Sequence, residues 1–129
     1  MFGTFQHSSL RIEVEASEET LRKSLTHPTE LQHWLWFERL SAGLPDTLQA
    51  GLKFTGQIGP IALHHEVDLA EPNRIRFLLS HGIDGFHEWA WGDGWVQSRI
   101  EGISLLPIRL GQTVSLLSLK QYLARNKAA

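Results

Sequence analysis

Residues 86–100, Phe86-His87-Glu88-Trp89-Ala90-Trp91-Gly92-Asp93-Gly94-Trp95-Val96-Gln97-Ser98-Arg99-Ile100, decide the fold. Asp93-Gly94 is a strong two-residue hairpin signal, because Asp and Gly tolerate the left-handed backbone such a turn requires. The turn pairs Trp91 with Val96, Trp89 with Ser98 and His87 with Ile100. The other face of the second strand would carry Trp95, Gln97, Arg99 and Glu101, too charged for a core. A slip of one residue inverts a strand, so this register points Trp89 and Trp91 inward.

Working upstream, Ile83-Asp84-Gly85 reads as a three-residue loop with Gly85 left-handed, which pairs His81 with His87 and Leu79 with Trp89. A loop over Ala70–Arg74, centred on Glu71-Pro72-Asn73, pairs Val67 with Phe77 and His65 with Leu79. Strands are then expected at Leu52–Ile58, Ile61–Leu69, Arg74–His81, Phe86–Trp91 and Trp95–Leu105, with Gly102 marking a bulge or bend. The shared inner face holds Phe54, His65, Phe77, His81, His87, Trp89, Trp91 and Ser98 among aliphatic residues. His64 and Trp95 fall on the outside.

The N-terminal third reads differently. Leu10, Ile12, Val14 and Ala16 alternate with Ser9, Arg11, Glu13 and Glu15, the period of a half-buried strand. Ser17 is a helix N-cap followed by Glu18 and Glu19 in the first turn, so a short helix over Glu18–Leu25 is expected. Thr26-His27-Pro28 ends it, and Pro28 starts a second short helix, Pro28–Trp34. Trp36–Leu40 is a weak strand signal and Ser41–Ala50 a loop. At the other end, Pro107–Gly111 reads as a connector and the Leu-rich Gln112–Arg125 as a terminal helix.

The chain has 129 residues, with five Trp, seven His and no Cys. The length fits one domain spanning 1–129, and area scaling predicts a folded surface of about 7,000 Å². Without Cys there is no disulfide scaffold, thiolate metal site or thiol nucleophile. The formal charge is −2, which lacks the basic excess of a nucleic-acid surface, so no nucleic-acid partner is expected. No apolar run approaches the roughly 18 residues of a membrane span. Met1–Leu10 has no charged segment leading into an apolar one, and a soluble cytoplasmic protein is the expectation.

The order of elements resembles the α+β helix-grip fold of the START/Bet v 1-like (SRPBCC) superfamily, including its bacterial polyketide cyclase/dehydrase and lipid-transport branch. Ser9–Leu25 is similar to that family's first strand and helix. Thr26-His27-Pro28-Thr29-Glu30-Leu31 with Trp34 resembles its T/S-D-P-e-x-L-x-x-W segment, with His27 where Asp is common. Leu48–Phe54 (LQAGLKF), Glu71–Ile75 (EPNRI) and Ser118–Leu123 (SLKQYL) resemble its strand entry, turn and terminal helix. The resemblance implies a curved antiparallel sheet of 6–7 strands wrapped around a C-terminal helix, with two short helices after strand 1. The terminal helix is shorter here than in family members, and Gly56–Gly59 (GQIG) is not read as a phosphate loop.

The resemblance also implies binding of a hydrophobic or aromatic small molecule, lipid-, polyketide- or quinone-like, in a cavity between the sheet and the C-terminal helix. Phe54, His65, Phe77, His81, His87, Trp89, Trp91, Ser98 and Trp34 are the candidate ligand-binding residues, since pockets are built from apolar walls with few polar groups. The competing reading is that the aromatic side chains simply fill a small core. A cyclase or dehydrase using His65 or His81 as acid or base is the alternative function. An interaction module, as in the Hsp90-cochaperone-like branch, is the third, with Trp34–Phe37 or Trp95 as its surface. The Trp34–Phe37 segment either lids the cavity mouth or packs under Leu48. No metal and no cofactor are expected: His64 and His65 point to opposite faces, and His81 with His87 lacks a third ligand. A homodimer is a candidate assembly.

Overall fold

The computed structural model describes residues 3–128. The elements run β1 (Thr4–Glu13), α1 (Glu18–Thr26), α2 (Pro28–Trp34), β2 (Arg39–Leu40), β3 (Lys53–Ile58), β4 (Ile61–Glu71), β5 (Arg74–Ser80), β6 (Ile83–Gly92), β7 (Trp95–Ser104) and α3 (Ile108–Ala128). The seven strands form one antiparallel sheet in the order β1-β7-β6-β5-β4-β3-β2. The first strand, carried to one edge, lies beside the last. The helices cover a single face: α1 packs on β6, α3 on β1 and β7, and α2 bridges α1 and α3.

Local chemistry sets the helix limits. Ser17 Oγ accepts from Thr20 N at 3.2 Å and starts α1. His27, extended at φ −100° and ψ 115° as a residue before proline should be, both ends α1 and precedes α2. The core then forms between the helices and the inward strand residues, with Leu21, Leu25, Ile75, Trp91, Val96 and Leu119 sealed from solvent.

The Asp93-Gly94 hairpin has the expected register: Trp91 faces Val96, Trp89 faces Ser98 and His87 faces Ile100. Val67 opposite Phe77 and His65 opposite Leu79 also agree with the turn reading. Between β5 and β6 the register differs. The chain reverses at His81-Gly82, so Ile83–Gly85 belongs to a strand rather than to a loop. Leu79 therefore lies opposite Gly85, four positions from the expected Trp89, and Ile75 lies opposite Trp89. An even displacement keeps each side chain on its face. Trp89, Trp91 and His87 still point inward, but His81 does not: at φ 65° it leaves the strand and is exposed.

Three further expectations are corrected. Gly102 is in continuous register with β1 and β6, and the irregularity lies between Val67 and Leu69 instead. Gly102 faces Gly85, and a Cβ on either would strike the main chain of the opposite strand. The terminal helix is 21 residues long and not confined to Gln112–Arg125. Its first turn incorporates the presumed connector because Gln6 Oε1, from β1, accepts from Ile108 N at 3.3 Å and caps it. Among the described residues no helix is long and apolar enough to cross a membrane.

Candidate functional site

The inner face of β3–β6 is not wholly filled. Beneath α2 and β2 lies a pocket of about 50 Å³. Its ceiling is Leu31, Trp34, Leu35, Glu38 and Leu40; its floor is Phe54, His65, Phe77, His87 and Trp89. Alternation along four neighbouring strands brings these floor side chains together. The rings lock one another. Phe54 stacks on His65 with centroids 4.7 Å apart, and Phe77 meets Phe54 edge-on at 5.8 Å. Trp34 stands edge-on to Trp89 at 5.9 Å, and its indole N–H donates to Ser24 O at 2.9 Å.

Glu38 enters from the segment between α2 and β2. Gln32 clamps that segment, donating to Glu38 O at 2.8 Å and accepting from Leu40 N at 2.9 Å. The carboxyl lies over Gly56 of β3, where any Cβ would collide with it. Glu38 is only 8% exposed, and its Oε2 has no hydrogen-bond partner. His65 Nε2 lies 3.5 Å from that oxygen.

The distance is that of an ion pair, but burial argues against charges. Desolvation pushes the Glu38 carboxyl up to about 7 and the His65 imidazole down to about 4. Near pH 6 the contact therefore joins a neutral acid to a neutral imidazole, at a separation too long for a good hydrogen bond. His65 Nδ1 lies 3.1 Å from Leu63 O. A carbonyl can only accept, so Nδ1 carries the hydrogen and Nε2 keeps its lone pair towards Glu38. The second imidazole, His87, is pushed down to about 3 by desolvation and then by His65.

Of the nine residues expected to bind ligand, the fold gathers six at the pocket: Trp34, Phe54, His65, Phe77, His87 and Trp89. Trp91 is sealed in the core, and Ser98 sits behind His87, 2.7 Å from its Nε2. His81 is exposed and lies against His64, ring centroids 4.0 Å apart. Among the described residues no group of three or more potential metal ligands forms.

This pocket lies under α2; between the sheet and α3, Gln112 fills the interval against Ser98 and Ser8, and a separate space of about 440 Å³ lies further along α3, lined by Glu13, Val14, Lys120 and Leu123. Trp34 is a ceiling residue of the pocket. Trp36 is 72% exposed and meets Phe37 edge-on. Trp95 is outward, as expected, but covered: the Arg11 guanidinium lies 3.9 Å above its ring. Glu38 escaped the sequence reading. Its one signal was a lone carboxylate in the aromatic segment Trp34–Phe37 and Leu40, inside a weak strand.

A seven-stranded antiparallel sheet with two short helices after β1 and a C-terminal helix on one face is the helix-grip architecture. No family model and no curated protein matches the chain. Solved structures do. DynU16, from the dynemicin biosynthetic locus, superposes with a TM-score of 0.72 at 20% identity over 92% of this chain. The chain spans about half of DynU16, 47% of its length. CalU16 from Micromonospora echinospora gives 0.71 at 16% identity, covering 96% of this chain and 80% of the other. The Aha1 dimer from Colwellia psychrerythraea gives 0.64 at 19% identity, covering 92% and 96%. At these identities the likeness establishes a shared fold, the helix grip that the sequence resemblance implied.

Proposed function

We propose that this chain binds a small apolar or aromatic molecule bearing one polar group, in the pocket beneath α2. The observation that carries the reading is the buried Glu38 carboxyl, unpartnered at Oε2, beside the accepting Nε2 of His65 in an aromatic enclosure. A buried polar atom without a partner costs about 1–3 kcal/mol. A ligand polar group placed between the two recovers that cost. The free space of about 50 Å³ holds a few waters. Drug-sized ligands occupy roughly 300–1,000 Å³, so entry displaces α2 and the segment to β2.

Native mass spectrometry of freshly purified protein tests for a retained small molecule and reads the oligomeric state at once. Acetophenone serves as a defined probe: titration should shift the NMR signals of Trp34, Phe54 and Trp89. Filling the pocket with Leu35→Phe should weaken that binding at least tenfold. Binding indifferent to Leu35→Phe would place the probe elsewhere and overturn the reading.

A second reading, acid–base catalysis of cyclase or dehydrase type, has one observation in its favour. Glu38 holds a proton up to about pH 7 next to an imidazole that accepts through Nε2. Such a pair moves protons between neighbouring positions of a bound carbonyl compound. In that case Glu38→Gln and His65→Ala each lower turnover by about 10²–10⁴-fold while probe binding persists.

A further inference from the structure

Ser98 lies within β7 with no exposed surface, and among the described residues its hydroxyl has two neighbours. One is His87 Nε2 at 2.7 Å and the other Gln112 Nε2 at 3.1 Å. Gln112, 1% exposed, reaches down from α3, and its Nε2 also lies 3.0 Å from the main-chain oxygens of Ser8 and of Ser98. That network fixes the amide orientation, since the flipped form would set an oxygen against two carbonyl oxygens.

Gln112 shares its two hydrogens among three acceptors, the two carbonyls and the Ser98 hydroxyl. The hydroxyl hydrogen is then left with a single acceptor. Gln112 Nε2 has no lone pair to offer, and among the described residues no other acceptor is hydrogen-bonded to the Ser98 hydroxyl, so the hydrogen goes to His87 Nε2. An acceptor nitrogen carries no hydrogen. A neutral imidazole must then carry it on Nδ1. Among the described residues Nδ1 makes no hydrogen bond, and the ring lines the pocket.

We propose that Gln112, acting through Ser98, holds His87 in its Nδ1–H form, so that the pocket offers a hydrogen-bond donor and selects a ligand with an acceptor oxygen such as a carbonyl. Gln112 and Ser98 are positioning residues. The selection rests on the pocket being the binding site; the tautomer does not. The two imidazoles then differ in role, with His65 accepting through Nε2 and His87 donating through Nδ1. This asymmetry ties the C-terminal helix to a site that it does not touch.

Long-range ¹H–¹⁵N NMR of the full chain without ligand reads the tautomer directly. The expected result is Nδ1–H at His87 in the wild type and in Ser98→Thr, which keeps the hydroxyl. In Ser98→Ala the constraint is gone and the Nε2–H form appears. In Gln112→Met the hydroxyl loses its donor and is free to accept from the His87 ring instead, so Nε2–H appears there too. A wild type already in the Nε2–H form overturns the relay. An unmoved tautomer in both loss variants overturns the role of Gln112 and Ser98, leaving them structural. For selection, acetophenone should bind about tenfold more tightly than its isostere ethylbenzene, the effect of one hydrogen bond. The preference should vanish in Ser98→Ala. Equal wild-type affinities overturn the selection. If neither probe binds while His87 shows Nδ1–H, the pocket reading and the selection fall together and the relay is supported.

Discussion

Glu38 and Gly56 form a matched pair, and the match is steric before it is electrostatic. The carboxyl occupies the place where a β3 side chain would stand. Gly56→Ala is therefore expected to destabilise the fold by about 1–3 kcal/mol, the usual range for overpacking. The same change in a Glu38→Ala background should cost clearly less, because the methyl group then has somewhere to go. Urea denaturation of the four proteins of that cycle measures the coupling, and additive costs would refute the shared seat. Glu38 also has a pH signature. Folded, it keeps its proton to about pH 7; unfolded, it loses it near 4.5. Folding therefore loses stability as pH rises from 4.5 to 7 on account of this group. The two pocket imidazoles act in the opposite sense. His65 and His87 stay neutral down to about 4 and about 3, so their contribution is present above 6.5 and is lost as pH falls through those values. Glu38→Gln removes only the first effect. The stability of that variant relative to wild type should rise between pH 4.5 and 7.5, by on the order of 3 kcal/mol, and level off above. A difference that stays flat with pH would mean that Glu38 ionises like an exposed carboxylate.

At the scale of elements, α3 shows what local sequence carries and what it does not. The Leu stripe gave its body, but Pro107 and Gly111 read as breakers. A contact with Gln6, 102 positions away, extends it to Ile108. No periodicity reports a cap supplied from β1. Gly111 sits in that first segment with open space where a Cβ would stand. Its N–H bonds to Pro107 O at 3.2 Å. Gly111→Ala should stabilise the protein by about 0.5–1 kcal/mol, the helix-propensity difference, seen as a higher urea midpoint with unchanged slope. Destabilisation would place Gly111 outside the helix. The β5–β6 connection makes the same point for strands. Two turn positions, His81-Gly82 and Ile83–Gly85, were available to the chain, and tertiary packing chose the first. Parity protected the inner face from that error, so His65, His87, Trp89 and Phe77 were legible. His81, at the turn itself, was not. Glu38 was illegible for a different reason: its burial depends on a glycine 18 positions away, and no local pattern links the two.

For the whole molecule, the interior divides at β6 and β7. On the α3 side polar contacts join apolar packing: Gln112 bonds to Ser8 and Ser98, Arg109 Nη1 reaches Ser8 Oγ at 3.2 Å, and Leu116, Leu119 and Leu123 are buried. On the α2 side it is closed by aromatic packing that stops short of filling the space. The two sides respond differently to change. Polar closure is directional and yields poorly, because displaced donors and acceptors need new partners. Apolar packing yields more readily, at a cost set by the volume exposed. On the proposed function, ligand entry would proceed by moving α2, which is tied to α3 through Ser118 Oγ to Trp34 O, Tyr122 OH to Glu30 Oε2 and the His33–Tyr122 ring contact. Leu35, half-buried at the end of α2, lines the pocket without anchoring the core. Leu35→Ala should enlarge the space, cost about 1–2 kcal/mol of stability, and raise acetophenone affinity several-fold, since less of α2 has to move. Calorimetric titration checks the affinity and thermal melting the stability. Leu116→Ala, beneath α3, should destabilise by at least as much and leave affinity unchanged. Equal gains in affinity from both variants would show general loosening rather than a site under α2.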